Sequence, residues 1–162
     1  MPVILGTVAG VGLDYLGFAG KVSRREALSF AGSQRAAGVA ATRWITVFHR
    51  GADLSELDAE CLQAMKARMR QRIARAQAEQ PFRMILVADS PDSQPVVARW
   101  RGMTHPDPNY ASKPESARSI EEACRMHGLT PQQTAVAMAE IESDLSNALD
   151  LSPGQIDHSA SQ

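Results

Sequence analysis

The chain has little cysteine and no long hydrophobic run. Cys61 and Cys124 are the only cysteines in 162 residues, and no Cys-x-x-Cys pair occurs. Neither a disulfide framework nor a cysteine-based zinc site is predicted, and we expect two reduced, half-buried thiols. No run of about 18 apolar residues is present, so no transmembrane helix is predicted. The apolar N-terminal segment lacks a basic region and contains Asp14, unlike a signal peptide, so a cytoplasmic protein is expected.

The chain also lacks an excess of either charge and is poor in aromatic residues. The 17 basic and 18 acidic residues leave a net charge of −1, which favours neither nucleic acid nor an anionic membrane. The most basic segment, residues 66–75, has no interleaved aromatic side chains on which bases could stack. No nucleic-acid partner is therefore predicted.

What the chain does contain is a βαβ pattern between Ala41 and Ser90. The apolar runs Trp44–Phe48 and Met84–Ala88 are short and uncharged, as buried parallel strands are. The segment between them has helical periodicity and predicts a long crossover helix that begins at Asp53 or Ser55. Its apolar stripe comprises Leu54, Leu57, Cys61, Met65, Met69 and Ile73. Its basic end either complements the helix dipole or also forms a docking surface.

Local signals predict the remaining elements. Val3–Val8 and Leu13–Ala19 are apolar runs joined by glycines, which predicts an N-terminal antiparallel hairpin. Ser23 and Glu26 form a capping-box pattern that predicts the start of a helix. The later predictions are a short helix from Val96 to about Gly102, a brief edge strand around Tyr110, a short helix from Ser116 or Ser119 to Gly128, and a final helix that starts at Thr130-Pro131.

The predicted organisation is one α/β domain over residues 1–129, an amphipathic helix over 130–150 and a flexible polar tail over 151–162. The apolar side of the final helix is Val136, Met138, Ile141, Leu145 and Leu149. Beyond Arg125 the chain contains no lysine or arginine, so this helix is acidic. It could pair with the basic end of the long helix, within one chain or between two protomers. Its apolar side packs either on this chain or on a partner.

The order hairpin, helix, strand, long helix, strand, helix, proline-rich connection and short helix resembles the STAS-like fold, that of bacterial anti-sigma-factor antagonists. The stretches that carry the resemblance are GLDYLGFAGKVSRREALSFA, WITVFHRGADLSELDAECLQAM, FRMILVAD and SARSIEEACRMHGL. The resemblance implies a mostly parallel sheet with an N-terminal β-hairpin, helices packed mainly on one face and an added C-terminal helix. It also implies a regulatory domain that acts through protein contacts.

Regulatory STAS-like domains carry a phosphorylated serine in an Asp-Ser-Ser-Gly loop after the central strand. The matching region here, residues 51–58, reads GADLSELD. It keeps one serine, Ser55, but lacks the full motif and its glycine. The resemblance therefore makes Ser55 a candidate phosphorylation site, whereas Ser55 followed by Asp58 also fits a helix-capping arrangement.

Candidate ligand-binding residues follow the two central strands, at the edge where α/β sheets usually bind ligands. His49, Arg50 and Ser55 follow the first strand and could hold a small acidic or phosphate-bearing ligand near a helix N-terminus, or could simply form a polar loop. Asp89 and Ser90 follow the second strand. No Gly-x-Ser-x-Gly surrounds Ser90, so a hydrolase nucleophile is not predicted. The four histidines are scattered, so no metal, cofactor or catalytic residue is predicted.

The sequence thus favours a non-enzymatic, cytoplasmic, regulatory module of STAS-like type that binds a protein partner or a second copy as a homodimer. The alternative is a carrier or sensor of a small apolar or anionic ligand, because STAS-like domains resemble CRAL-TRIO lipid-binding domains in topology. A pocket of several hundred Å3 between helices and sheet would favour the carrier. A filled core with an exposed apolar patch would favour the interaction module. An enzyme would need polar groups that converge at the edge near His49 and Asp89.

Overall fold

A computed structural model describes residues 3–31, 43–76, 83–88, 90–103 and 114–150. These residues form an α/β fold with a five-stranded sheet in the order β1-β2-β3-β4-β5. The strands are β1 (Val3–Val8), β2 (Leu13–Phe18), β3 (Arg43–Phe48), β4 (Arg83–Val87) and β5 (Glu115–Ala117). The helices are α1 (Arg24–Ala31), α2 (Ala59–Ala76), α3 (Gln94–Met103), α4 (Ile120–Met126) and α5 (Pro131–Asp150).

The strand pairing confirms the predicted mostly parallel sheet with an N-terminal hairpin. β1 pairs with β2 in antiparallel register, so that Val8 lies opposite Leu13 across the turn. β2, β3, β4 and β5 then run parallel to one another. Each parallel connection contains a helix, because a chain that re-enters a sheet in the same direction needs a crossover.

Helices cover both faces of the sheet, whereas the sequence predicts them mainly on one face. Alternate strand residues belong to two separate apolar clusters: Leu16 and Phe18 to one, Leu13 and Tyr15 to the other. The first cluster contains α1, α2 and α3, and the second contains α4 and α5. All six positions of β2 are buried. A strand that is apolar on both faces must be covered on both, and this explains the difference.

Three predicted helix boundaries are confirmed by their capping contacts: the starts of α1 and α5 and the end of α4. The Ser23 hydroxyl accepts a hydrogen bond from the Glu26 N–H at 3.1 Å, and the Glu26 carboxylate accepts one from the Ser23 N–H at 3.1 Å. Thr130 and Gln133 form the same reciprocal pair at the start of α5. Gly128 has a positive φ of 76° just past the end of α4. These local patterns fix helix ends because they satisfy backbone groups that a helix leaves unpaired.

The described edge strand in this part of the chain is β5. The predicted position, Tyr110, is outside the described residues, and β5 spans Glu115–Ala117. Ser116 is therefore a strand residue, and of the two predicted caps it is Ser119 whose hydroxyl accepts from the Glu122 N–H at 3.1 Å. The predicted tail, residues 151–162, also lies outside the described part of the chain.

Helix α5 packs on the sheet of its own chain. Ile141 and Leu145 are buried in the second apolar cluster, and α5 contacts both β1 and β2. Gly17 makes this approach possible, because a Cβ there would lie 2.8 Å from Leu145 Cδ2. The Tyr15 hydroxyl also donates a hydrogen bond to the Asp144 carboxylate. Val136 is 54% exposed and does not belong to the buried side, contrary to the prediction.

The described helices were compared with the length and hydropathy of membrane-spanning helices. Neither α5 nor any other described helix combines the length and the hydropathy that a membrane span requires.

Candidate functional site

The carboxyl ends of β2, β3 and β4 lie at one edge of the sheet, because these strands are parallel. We call this the carboxyl edge and define it by the β2–α1 connection (residues 19–23), the β3–α2 connection (49–58) and the described part of the β4–α3 connection (90–93). His49, Arg50 and Ser55 lie in the second connection and Ser90 in the third. Asp89 is outside the described residues.

The β3–α2 connection is held in place by its backbone. The Asp53 N–H donates to the Gly20 carbonyl at 2.8 Å, and the Val22 N–H donates to the Asp53 carbonyl at 3.1 Å. These bonds join the first two connections of the carboxyl edge in a parallel bridge. Ala52, Leu54 and Leu57 anchor the connection further, because their side chains are buried in the core. The polar side chains between these anchors therefore stand on a fixed backbone.

Helix α2 begins at Ala59 and not at Asp53 or Ser55 as predicted. Asp58 is its N-cap residue, and the Asp58 carboxylate accepts a hydrogen bond from the Cys61 N–H at 2.8 Å. Leu54 and Leu57 match the helical period, yet they lie in a turn in which the Leu57 N–H donates to the Leu54 carbonyl at 2.9 Å. A buried turn and a helix can both place apolar residues three apart, so periodicity alone misplaced the boundary.

Ser55 is exposed and lies four residues before α2. Its backbone N–H donates to an Asp53 carboxylate oxygen at 3.1 Å, which is an Asx turn. Hydrogen bonds from the side chain and the backbone of Ser55 lower the pKa of Asp53 below its ordinary value. The predicted capping arrangement, with Ser55 at the helix start and Asp58 three residues later, is wrong, because Ser55 bonds to Asp53 before it and Asp58 itself caps α2. The Asp-x-Ser spacing was the sequence signal for this turn.

His49 and Ser90 make local hydrogen bonds. The His49 Nδ1 atom lies 2.8 Å from the carbonyl oxygen of its neighbour Arg50. The buried Ser90 hydroxyl accepts from the Asp92 N–H at 3.3 Å, and the Ser90 carbonyl accepts from the Ser93 hydroxyl at 2.9 Å. These bonds build the turn that leads into α3. In the described part of the chain, no second group directs either side chain toward a common point.

The two cysteines lie within the two apolar clusters, Cys61 in the first and Cys124 in the second. Both thiols are buried rather than half-buried. Burial raises the pKa of Cys124 to about 11 and also raises that of Cys61. Both cysteines are therefore protonated and poorly nucleophilic near neutral pH. Within the described ranges, no three or more His, Cys, Asp or Glu side chains cluster as metal ligands.

A small apolar cavity lies between the sheet and helices α2 and α3. Its lining includes the stacked rings of Phe18 and Phe48, with Leu57, Met65 and Trp100 from the covering elements. Its volume is about 20 Å3, close to the space of one water molecule. Pockets for small molecules typically have volumes of about 300 Å3 or more. The space between the described residues that line this cavity is therefore nearly filled.

Two residues at the start of the basic segment of α2 bind the ends of neighbouring helices. The Lys66 ammonium donates to the Met103 carbonyl at the end of α3. The Arg68 guanidinium donates to the Leu28 carbonyl in the last turn of α1 at 2.7 Å. A cation at a helix C-terminus is stabilising because the last carbonyls lack helical partners. These contacts give Lys66 and Arg68 a structural role. No sequence spacing marks such contacts between helices.

Comparison of the chain with protein-family models, with curated proteins and with solved structures finds no match. The class that the structure defines is an α/β fold with a mixed five-stranded sheet covered on both faces.

Proposed function

We propose that this chain is a non-enzymatic, cytoplasmic, regulatory module of STAS-like type that binds a protein partner through the carboxyl edge. One observation carries the proposal. Backbone hydrogen bonds and buried apolar side chains hold the ten-residue β3–α2 connection in place, while its polar side chains point to solvent. The exposed members are Arg50, Asp53, Ser55, Glu56 and Asp58. A rigid polar surface loses little conformational entropy on binding, which suits it for protein recognition.

The local hydrogen bonds of His49 and Ser90 favour binding over catalysis. A general base or a nucleophile needs a partner that orients or activates it toward a substrate. His49 and Ser90 are engaged in their own turns. Cys124 is buried in an apolar environment. These contacts support a non-enzymatic role.

The size of the apolar cavity favours an interaction module over a carrier. A space of about 20 Å3 holds no lipid-like ligand. The anionic-ligand alternative needs free N–H groups at the start of α2, but Asp58 already binds the Cys61 N–H there. Its carboxylate would also repel an anion. A carrier of either ligand would therefore need a conformation more open than the one described.

A phosphate on Ser55 would act through the same surface. It would add negative charge beside Asp53, Glu56 and Asp58, and it would lie four residues before α2 rather than at its first turn. It would therefore weaken contact with an acidic partner and strengthen contact with a basic one.

Self-association as a homodimer would also use this edge, because the apolar side of α5 is buried in its own chain.

The proposal is tested by affinity capture from the cells that encode the protein, with matched charge reversals. Glu56→Lys changes an exposed residue of the β3–α2 connection, and Glu142→Lys makes the same change on the exposed side of α5. We expect a specific partner to bind the wild type and the Glu142→Lys protein and to be reduced at least about tenfold with Glu56→Lys. Quantitative mass spectrometry of the eluates measures the ratio.

Other outcomes of the capture count against the proposal. Equal retention by both variants would place the contact elsewhere, and selective loss with Glu142→Lys would move it to α5. Recovery of a small molecule in place of a protein would favour the carrier.

A further inference from the structure

A buried histidine joins the end of α4 to the start of β3. His127 is the C-cap residue of α4 and is only 7% exposed. Its Nε2 atom lies 3.1 Å from the carbonyl oxygen of Trp44. Because a carbonyl oxygen can only accept, Nε2 carries the hydrogen in the neutral ring. A further proton must therefore bind Nδ1 and create a charged imidazolium in a buried position.

The charged groups around His127 come from three strands. Arg83, at the start of β4, donates to Glu115 of β5 through two nitrogens at 2.6 and 3.0 Å. Arg83 also donates to the carbonyl of Met126, the last residue of α4. Arg83 and Arg43 repel a proton on His127, whereas Glu115 attracts one. Two charged side chains of the neighbouring helices are engaged elsewhere: Asp144 of α5 accepts the Tyr15 hydrogen bond, and Glu121 of α4 pairs with Arg125.

Burial opposes the charged form of His127 more strongly than the Trp44 bond favours it. The pKa of His127 is consequently below its ordinary value, with burial as the largest cause. When the end of α4 leaves the sheet, the imidazole enters water and regains its ordinary pKa of about 6.5. The released state therefore binds protons that the docked state does not.

We propose that His127 is an acid-sensitive latch that holds the end of α4 on the start of β3 at neutral pH and releases it on acidification. His127 contacts the start of β3, at the edge of the sheet opposite the carboxyl edge. The proposed latch therefore does not depend on the proposed function. The direction of the pH dependence follows from the linkage between proton binding and docking. Docking is at full strength above the released-state pKa and weakens as pH falls through it, because protonation then favours release.

Hydrogen exchange followed by NMR tests the latch. The N–H groups of His127 and Leu129 bond to the carbonyls of Ala123 and Cys124 and so report opening at the end of α4. Below pH 6.5, we expect their protection factors to fall by up to about tenfold per pH unit, the limit for one proton. The Ala27 N–H in α1 is the internal control and should keep its protection. The range stays above pH 5, because the pKa of Glu115 is lowered by Arg83 and that pair stays intact there.

The substitution His127→Gln separates charge from packing, because its amide can donate to Trp44 without titrating. We expect the variant to lose the pH dependence at Leu129. Retained pH dependence in the variant, unchanged protection at Leu129 in the wild type, or an equal loss at Ala27 would each overturn the latch. NMR titration of the His127 imidazole in the wild type gives a second test that needs no variant. A pKa of His127 at or above 6.5 in the folded protein would also overturn the latch.

Discussion

Replacing Ile141 with alanine is expected to lower the free energy of unfolding by about 2 to 5 kcal/mol. Ile141 is fully buried in the cluster that α5 shares with the sheet, so the truncation removes apolar contacts and leaves a cavity. Urea denaturation followed by circular dichroism measures the change. An effect of this size places the contact of α5 within a single chain, because a partner-facing helix would leave the stability of the isolated protein nearly unchanged.

The matched control for this prediction is Val136→Ala on the same helix. Val136 is 54% exposed, so its truncation is expected to change stability by less than about 0.5 kcal/mol. Comparable effects of the two substitutions, or a small effect of Ile141→Ala at every protein concentration, would contradict the packing of α5 described above.

Replacing Gly6 with alanine is expected to destabilise the protein by about 2 to 4 kcal/mol. A Cβ at Gly6 would lie 2.4 Å from the Cζ and hydroxyl oxygen of Tyr15 on the paired strand. The Tyr15 ring is buried, so it cannot move without a change in core packing. Its displacement would also break the hydrogen bond to Asp144 that ties α5 to the sheet. Thermal and urea denaturation measure the loss.

Gly102→Ala is the control for the Gly6 substitution. Gly102 lies within α3, and a Cβ there would have no atom within 4 Å. Alanine is the better helix former by about 1 kcal/mol, so this variant is expected to be as stable as the wild type or slightly more stable. If Gly6→Ala also left stability unchanged, the close approach between Gly6 and Tyr15 would not exist in solution.

The elements that sequence predicted best are those fixed by short-range chemistry. The Ser23–Glu26 and Thr130–Gln133 pairs cap helices through bonds between residues three apart, so the pattern is complete within four residues. The apolar runs of β3 and β4 likewise predicted parallel strands joined by a helix. Such features need no knowledge of the rest of the chain.

The predictions that failed depend on contacts between distant residues. Leu54 and Leu57 fit the period of a helix, but backbone bonds between Asp53 and Gly20 hold their segment as a connection. Helices cover both faces of the sheet because β2 is buried on both sides. The sequence of a single strand does not show which helices cover each side. At the site, His49, Arg50 and Ser55 were placed at the correct edge, whereas the anchoring role of Asp53 depends on a distant partner and was missed.

The measurement that tests the central claim most directly is NMR mapping of the captured partner on the isotope-labelled chain. The proposed function predicts shifts and loss of hydrogen exchange at the amides of residues 49–58 and 90–93, with little change on the exposed side of α5. Changes confined to α5, or to the residues that line the apolar cavity, would contradict the assignment of the carboxyl edge as the binding surface.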